Sequence, residues 1–115
     1  MRASNLDSLA LMDPPASIVI PTRGRLGYLE VALASIAPQA RAAGAEVLVI
    51  DDAIPSARAR ELAERHGARY EHDDAPQGLN AARNTGVSRS SGALVVFVDD
   101  DIRARQGWLA ALLVA

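Results

Sequence analysis

Beyond a weakly patterned beginning, the chain alternates short β-branched runs with longer segments of helical spacing. Residues 17–20, 46–50 and 93–98 read as strands, with a weaker candidate at 69–71, because clustered Val, Ile and Leu suit a packed, pleated surface. Residues 47–50 and 94–98 are apolar at every position, a pattern that predicts strands buried on both faces. Between them, Leu26, Leu29, Leu33 and Ile36 recur at intervals of three and four and line one face of a helix. The Ala-rich stretch 37–45 reads as the end of that helix and a loop. A second helix is expected from about Pro55-Ser56, burying Ala59, Leu62 and Ala63 and stopping at Gly67, where a left-handed turn costs little. A third is expected over 78–89, and a fourth from about Gln106 with Trp108, Leu109, Leu112 and Leu113; Trp108 is expected to anchor it in the core. Residues 1–16 end in Asp13-Pro14-Pro15 and read as a loose lead-in to a domain over 17–115. Strand and helix in repetition predict a mostly parallel sheet flanked by helices, a Rossmann-like α/β domain. The last residues lie inside an apolar helix, so more fold is expected after Ala115 in a parent protein.

Composition narrows the function classes. Of 115 residues half are apolar and 23% charged, with formal net charge −2, which suits one folded domain and excludes disorder as the main state. Aromatics are only 3%, so the core is built from Val, Ile, Leu and Ala. The absence of cysteine excludes disulfides, a zinc-thiolate site and a cysteine nucleophile. All 12 basic residues are Arg and they form no block, which argues against nucleic acid as a partner. No apolar run approaches the ~18 residues of a membrane span, and no secretory leader is visible.

In parallel sheets ligands bind beyond the carboxyl ends of the strands. Those ends read Pro21-Thr22-Arg23-Gly24-Arg25, Asp51-Asp52, His72-Asp73-Asp74 and Asp99-Asp100-Asp101, so one rim collects the acids and two arginines. Three adjacent carboxylates repel one another by about 4 kcal/mol per close pair at an effective dielectric near 20. A divalent cation relieves this, and oxygen-only ligands favour Mg²⁺ or Mn²⁺; the alternative is a solvated acidic turn or helix cap. If strand geometry persists, Asp99 and Asp101 point one way and Asp100 the other. Asp51-Asp52 either accepts hydrogen bonds from a nucleobase or ribose, or caps the following helix. Arg23 and Arg25 flank Gly24 in a turn where a phosphate could be gripped, the alternative being solvent-facing charges. Arg83 and Asn84 lie on the third helix, near an N-terminus whose dipole favours anions, or else form a surface ion pair and a packing amide. His66 and His72 lack metal-pair spacing and read as structural or solvent-exposed. The G-x-G-x-x-G phosphate loop is absent.

Taken in order, residues 17–25 (Ser-Ile-Val-Ile-Pro-Thr-Arg-Gly-Arg), 28–36, 46–52, 78–86 (Gly-Leu-Asn-Ala-Ala-Arg-Asn-Thr-Gly), 96–101 (Val-Phe-Val-Asp-Asp-Asp) and 107–109 resemble the nucleotide-sugar-binding N-terminal half of a family 2 glycosyltransferase. The resemblance covers residues 17–113 and implies the GT-A fold. It also implies a divalent metal, Mn²⁺ or Mg²⁺, and a nucleotide-diphospho-sugar donor, a UDP-sugar, whose sugar passes to an acceptor hydroxyl with inversion. On this resemblance Pro21, Thr22 and Arg23 line the nucleotide pocket, Asp52 bonds the base, and Arg83 lies close to the nucleotide. Asp99 faces the ribose and shares metal binding with Asp101, while Asp100, the middle residue of the DXD motif, is counted among the nucleotide-sugar-binding residues. Gly24 stands where the family often has Asn, and Ala53-Ile54 where it has Gly-Ser. The acceptor-binding half and the catalytic base are expected downstream of Ala115, and a cytoplasmic location, peripheral to a membrane, is in keeping with the family. Two other readings compete. A non-catalytic nucleotide-binding module shares the same pocket, and a haloacid-dehalogenase-like phosphatase shares the Asp-x-Asp after an apolar strand, although that motif usually opens the fold.

Overall fold

The computed structural model describes residues 14–73 and 79–115. Strand β1 (Ala16–Thr22) leads into helix α1 (Leu26–Ala43), β2 (Glu46–Asp51) into α2 (Ala57–Arg65), and β3 (Arg69–His72) is followed by α3 (Leu79–Arg89). Strand β4 (Leu94–Phe97) and the short α4 (Trp108–Leu113) close the described chain. The four strands form one sheet in the order β3-β2-β1-β4, every pair parallel. Register runs from Ser17 opposite Glu46 to Thr22 opposite Asp51, and from Ala16 opposite Leu94 to Val19 opposite Phe97.

Side-chain alternation sorts the core into two layers. Ile18, Ile20, Val47 and Val49 pack with Leu29, Leu33 and Ile36 of α1, Leu62 of α2 and Leu109 of α4. Val19, Leu48 and Ile50 face the other way and pack with Ala82 of α3. The all-apolar runs of β1 and β2 are therefore covered on both sides, as their composition requires. Strand β4 is not: it spans four residues rather than 93–98, and among the described residues it pairs with β1 alone. Leu94 and Phe97 remain 43% and 42% exposed, a correction to the expectation that this run is buried on both faces.

Several boundaries differ from the sequence pattern for local reasons. Helix α1 ends within the Ala-rich stretch, but only after continuing through Pro38 to Ala43. Proline removes the bond to the carbonyl of Ala34, and both residues lie on the solvent side, where water can serve that oxygen. The helix closes at Gly44, with φ of 71° and Ala45 N–H on the Ala40 carbonyl, a left-handed cap that favours glycine. Helix α2 starts at Ala57 after Ser56, whose Oγ accepts from Ala59 N–H at 3.1 Å. Asp51-Asp52 is thus not its cap. In α4 the fully buried anchor is Leu109, with Trp108 only partly covered. The lead-in contracts as well: Ala16 is a buried strand residue, and Pro14 and Pro15 accept the amides of Ala93 and Leu94. No helix of the described residues is long and apolar enough to cross a membrane.

Two glycines set how closely the layers approach. A Cβ on Gly86 of α3 would lie 2.3 Å from Val19 Cγ1, and one on Gly92 would lie 2.4 Å from the Ala16 carbonyl carbon. The rim opposite the strands' carboxyl ends is then pinned by Glu46, which accepts from Ser17 Oγ (2.5 Å), Ser91 N–H (2.6 Å) and Ser91 Oγ (2.9 Å). Partial burial alone would raise the Glu46 pKa, but the bonds from Ser17 and Ser91 and the charge of Arg69 outweigh it and hold the carboxyl below its ordinary value.

Candidate nucleotide-sugar site

The sheet order places a topological switch beside β1. From β1 the chain moves out to β2 and β3, then returns to the other flank as β4. Strand β1 runs on to Thr22, past its last pair with β4 at Val19 and Phe97, and a crevice lies at the carboxyl ends of the two strands. Pro21 deepens it. The Val19 carbonyl accepts Val98 N–H at 3.0 Å, whereas the Thr22 carbonyl accepts Asp52 N–H at 3.2 Å. Residue 21 hence faces the β4 flank, past the last β1–β4 pair, where its missing N–H leaves no ladder bond to be made.

A cavity of about 460 Å³ fills this crevice, lined by Pro21, Thr22, Arg23, Arg25, Asp52, Leu79, Ala82, Asp99, Asp100 and Asp101. That volume lies within the range of small-ligand sites. Every residue assigned to the site from the sequence lines it except Arg83. On α3 the Arg83 guanidinium sits 5.7 Å from the centre of the Phe97 ring, with its buried Nε unbonded. Its neighbour Ala82 lines the cavity. Leu79 and Ala82, the apolar wall, were missed by sequence reasoning. Their facing depends on how α3 lies across the sheet, and the α3 sequence shows no clear apolar stripe to announce it.

The acids separate into paired and spare groups. Asp52 is buried and takes Arg23 Nε at 3.1 Å and Nη2 at 3.4 Å, a fork that leaves other acceptor positions on the carboxylate. Asp51, its sequence neighbour, turns away into the sheet, where it accepts from Tyr70 O–H at 2.5 Å and Ala53 N–H at 3.0 Å. Burial first, and Asp51 second, push the Tyr70 phenol up to about 12. Asp100 is 3% exposed; it accepts from Thr22 Oγ1 at 2.8 Å and from Arg25 Nη2. The Arg25 guanidinium is raised above its ordinary pKa, chiefly by that bond. Asp99 and Asp101 are exposed, and Arg25 comes only within 4.0 Å of Asp101.

Strand geometry does not continue through the triplet, since β4 ends at Phe97 and Asp100-Asp101 form a turn. All three line the cavity, with Asp99 and Asp101 exposed and Asp100 buried. His72 Nε2 lies 2.5 Å from the Ala53 carbonyl and His66 caps α2, both structural roles. Asn84 is exposed on α3. Asp73 accepts from Thr85 Oγ1 at 3.3 Å and is not among the residues lining the cavity. Asp74 and Gly78 lie outside the described residues.

The cavity thus sets four carboxylates against two guanidinium groups, and the excess charge resides on Asp99 and Asp101. Among the described residues no three His, Asp or Glu side chains are gathered as a cage for a metal ion. Two hard oxygen donors fit Mg²⁺ or Mn²⁺, which keep water and take substrate phosphate oxygens to complete their shell; they do not fit a zinc site closed by protein alone.

Comparison with known proteins bears on the family and the fold. A sequence model of the family "Glycosyl transferase family 2" matches residues 17–114. The chain is 32% identical over 102 residues to the glycosyltransferase AglE of Haloferax volcanii, covering 84% of this chain and 33% of AglE. It is 34% identical over 101 residues to the pre-mycofactocin glycosyltransferase of Mycobacterium tuberculosis, covering 84% of this chain and 20% of that protein. The chain therefore spans a third or less of these relatives. Among solved structures, S. aureus TarS (residues 1–349) superimposes with a TM-score of 0.70 at 22% identity, over 90% of this chain and 32% of TarS. Mannosyl-3-phosphoglycerate synthase from Rubrobacter xylanophilus gives 0.65 at 24% identity, over 91% and 36%. These likenesses place the α/β sheet and its flanking helices in the GT-A fold, and with the family match spanning nearly every described residue, the chain belongs to glycosyl transferase family 2.

Proposed function

We propose that this chain binds the nucleotide-diphospho-sugar donor of a metal-dependent glycosyltransferase, with a UDP-sugar as donor and Mn²⁺ or Mg²⁺ as the cation. The observation that carries this reading is the split among the acids: two carboxylates are consumed by internal partners, and two are left spare on the same cavity. Asp52, oriented by Arg23, would accept an N–H of the base, with Pro21 and Thr22 forming the floor beside it. Asp99 would face the ribose and share the cation with Asp101. Neutralising charge on the departing nucleoside diphosphate is the chemistry that a bound divalent cation supplies. The Arg23 and Arg25 side chains add positive charge at the same rim. Inverting transfer to an acceptor hydroxyl also needs a general base. We assign none here, because each carboxylate of the cavity is already placed on the donor or in internal pairing.

Calorimetry with UDP, with and without Mn²⁺, tests the reading. Asp101→Asn is expected to abolish the Mn²⁺-dependent part of UDP binding. Asp52→Ala is expected to weaken binding about ten-fold, as for loss of a charge-assisted hydrogen bond, and to leave the metal dependence in place. Wild-type affinity in Asp101→Asn overturns the assignment. A second reading, a nucleotide-binding module without transfer, would use the same cavity. Binding with neither donor hydrolysis nor transfer across an acceptor panel would select it.

A further inference from the structure

We propose that Arg25 is a positioning residue that serves as the built-in counter-cation of the aspartate turn, competing with a divalent ion for Asp101 in the free chain and turning to the donor's diphosphate once the ion is seated. The inference rests on the donor-binding reading above and adds a residue and an order of binding to it.

Geometry holds Arg25 at this post from three sides. Gly24, with φ of 71°, reverses the chain between β1 and α1, so residue 25 returns toward the crevice; its carbonyl accepts Leu29 N–H at 3.0 Å and fixes it to the first turn of α1. Inside, Nη2 donates to Asp100, whose other oxygen takes Thr22 Oγ1 at 2.8 Å. A buried carboxylate keeps its charge only with such partners, so Asp100 and Arg25 hold each other in place. Outside, the guanidinium lies 5.2 Å from the centre of the Tyr28 ring, within cation–π range.

The contact to Asp101 is of another kind. At 4.0 Å, with both side chains about half exposed, it is a loose attraction rather than a hydrogen bond. A cation taken up by Asp101 therefore has to outbid Arg25 there, and displacing that contact leaves the Asp100 bond intact. The guanidinium would then present its remaining N–H groups to the same cavity, where a diphosphate held by the ion would be the natural acceptor. Arg23 is committed differently, with Nε and Nη2 on Asp52 rather than on the aspartate turn.

The test measures Mn²⁺ binding to the free chain by the loss of the aqueous Mn²⁺ paramagnetic signal, and UDP binding at saturating Mn²⁺ by calorimetry. Arg25→Gln is expected to bind Mn²⁺ alone about two- to five-fold more tightly, the range of an exposed ion pair removed. The same variant is expected to bind UDP roughly ten-fold more weakly. Arg25→Lys, which keeps the charge, should return Mn²⁺ affinity to near the wild-type value. Arg58→Gln, on α2 and off the cavity, makes the same change in net charge and should alter neither constant. Should Arg25→Gln unfold because Asp100 is left charged and buried, the double variant Asp100→Asn with Arg25→Gln removes that charge and is expected to show the same tightening. If the wild type binds UDP with Mn²⁺ but the folded variants show unchanged or weaker Mn²⁺ affinity, the role given to Arg25 is wrong while the donor-site reading stands. A wild-type chain that binds neither Mn²⁺ nor UDP overturns both.

Discussion

Asp99, Asp100 and Asp101 are identical in chemistry and adjacent in sequence, yet they do different work because only one has partners behind it. Thr22 and Arg25 lie more than seventy residues upstream and converge on Asp100. Its removal leaves a buried hydroxyl and a guanidinium without their acceptor. Asp100→Ala is accordingly expected to cost about 2 kcal/mol in denaturant unfolding. Asp99→Ala and Asp101→Ala should stay within about 0.5 kcal/mol of wild type, their loss appearing in ligand binding. Equal unfolding midpoints for all three would contradict the division. Period-two reasoning on the sequence separated residue 100 from 99 and 101, but not which of them has internal partners, since that information sits on another strand. Glu46 offers a second residue-scale test. Its folded pKa is lowered, so its contribution is complete above the ordinary carboxyl value of 4.5 and fades as pH falls through the lower folded value. Glu46→Gln should therefore flatten the acid limb of the stability profile below about pH 4.5. A limb of unchanged steepness would show that Ser17 and Ser91 do not hold the charge.

At the scale of elements, pattern and spacing located every strand and helix, and erred where an element's neighbours decide the outcome. Pro38 lies inside α1, where its position on the outer face makes the lost hydrogen bond tolerable. The apolar run of β4 reads as buried on both faces, whereas residues do not encode how many strands lie beside them, and among the described residues β4 has one. Which α3 side chains line the cavity depends on the angle at which the helix meets the sheet, and there Ala82 does and Arg83 does not. Gly86 sets that approach. Its substitution to Ala drives a methyl into the buried Val19 side chain, and overpacking of this kind costs about 1–3 kcal/mol. Because the shift also moves Leu79 and Ala82, Gly86→Ala should lower both the melting temperature and the affinity for UDP with Mn²⁺. Gly27, in α1 with open space around its Cα, supplies the contrast: Gly27→Ala should stabilise by about 0.5–1 kcal/mol through helix propensity alone. If both substitutions act alike, close packing of α3 on β1 is not what Gly86 provides.

The whole molecule has two unlike rims, and the difference predicts how it answers a ligand. One rim is locked by Glu46 to Ser17 and Ser91 and by Arg69 between Glu46 and Glu71, with Arg89 also on Glu71. The opposite rim, where β1 and β4 part, is held across the crevice by the Thr22–Asp100–Arg25 set and carries the spare acids. Ligand binding at the crevice should therefore tighten one end of the sheet only. At a ligand concentration a hundred times Kd, mass action adds about 2.7 kcal/mol to global stability, which slows amides exchanging through complete unfolding everywhere. Amides opening by local fluctuation respond only where the ligand touches. Hydrogen exchange with UDP and Mn²⁺, under conditions where local openings dominate, should show slowed amides at residues 22–25, 52–53 and 98–101. Residues 90–94, at the locked rim, should keep their rates. Asp101→Asn should erase the change at 98–101. Slowing centred on 90–94, or absent from 98–101, would mean that the switch beside β1 is not where this chain meets its donor.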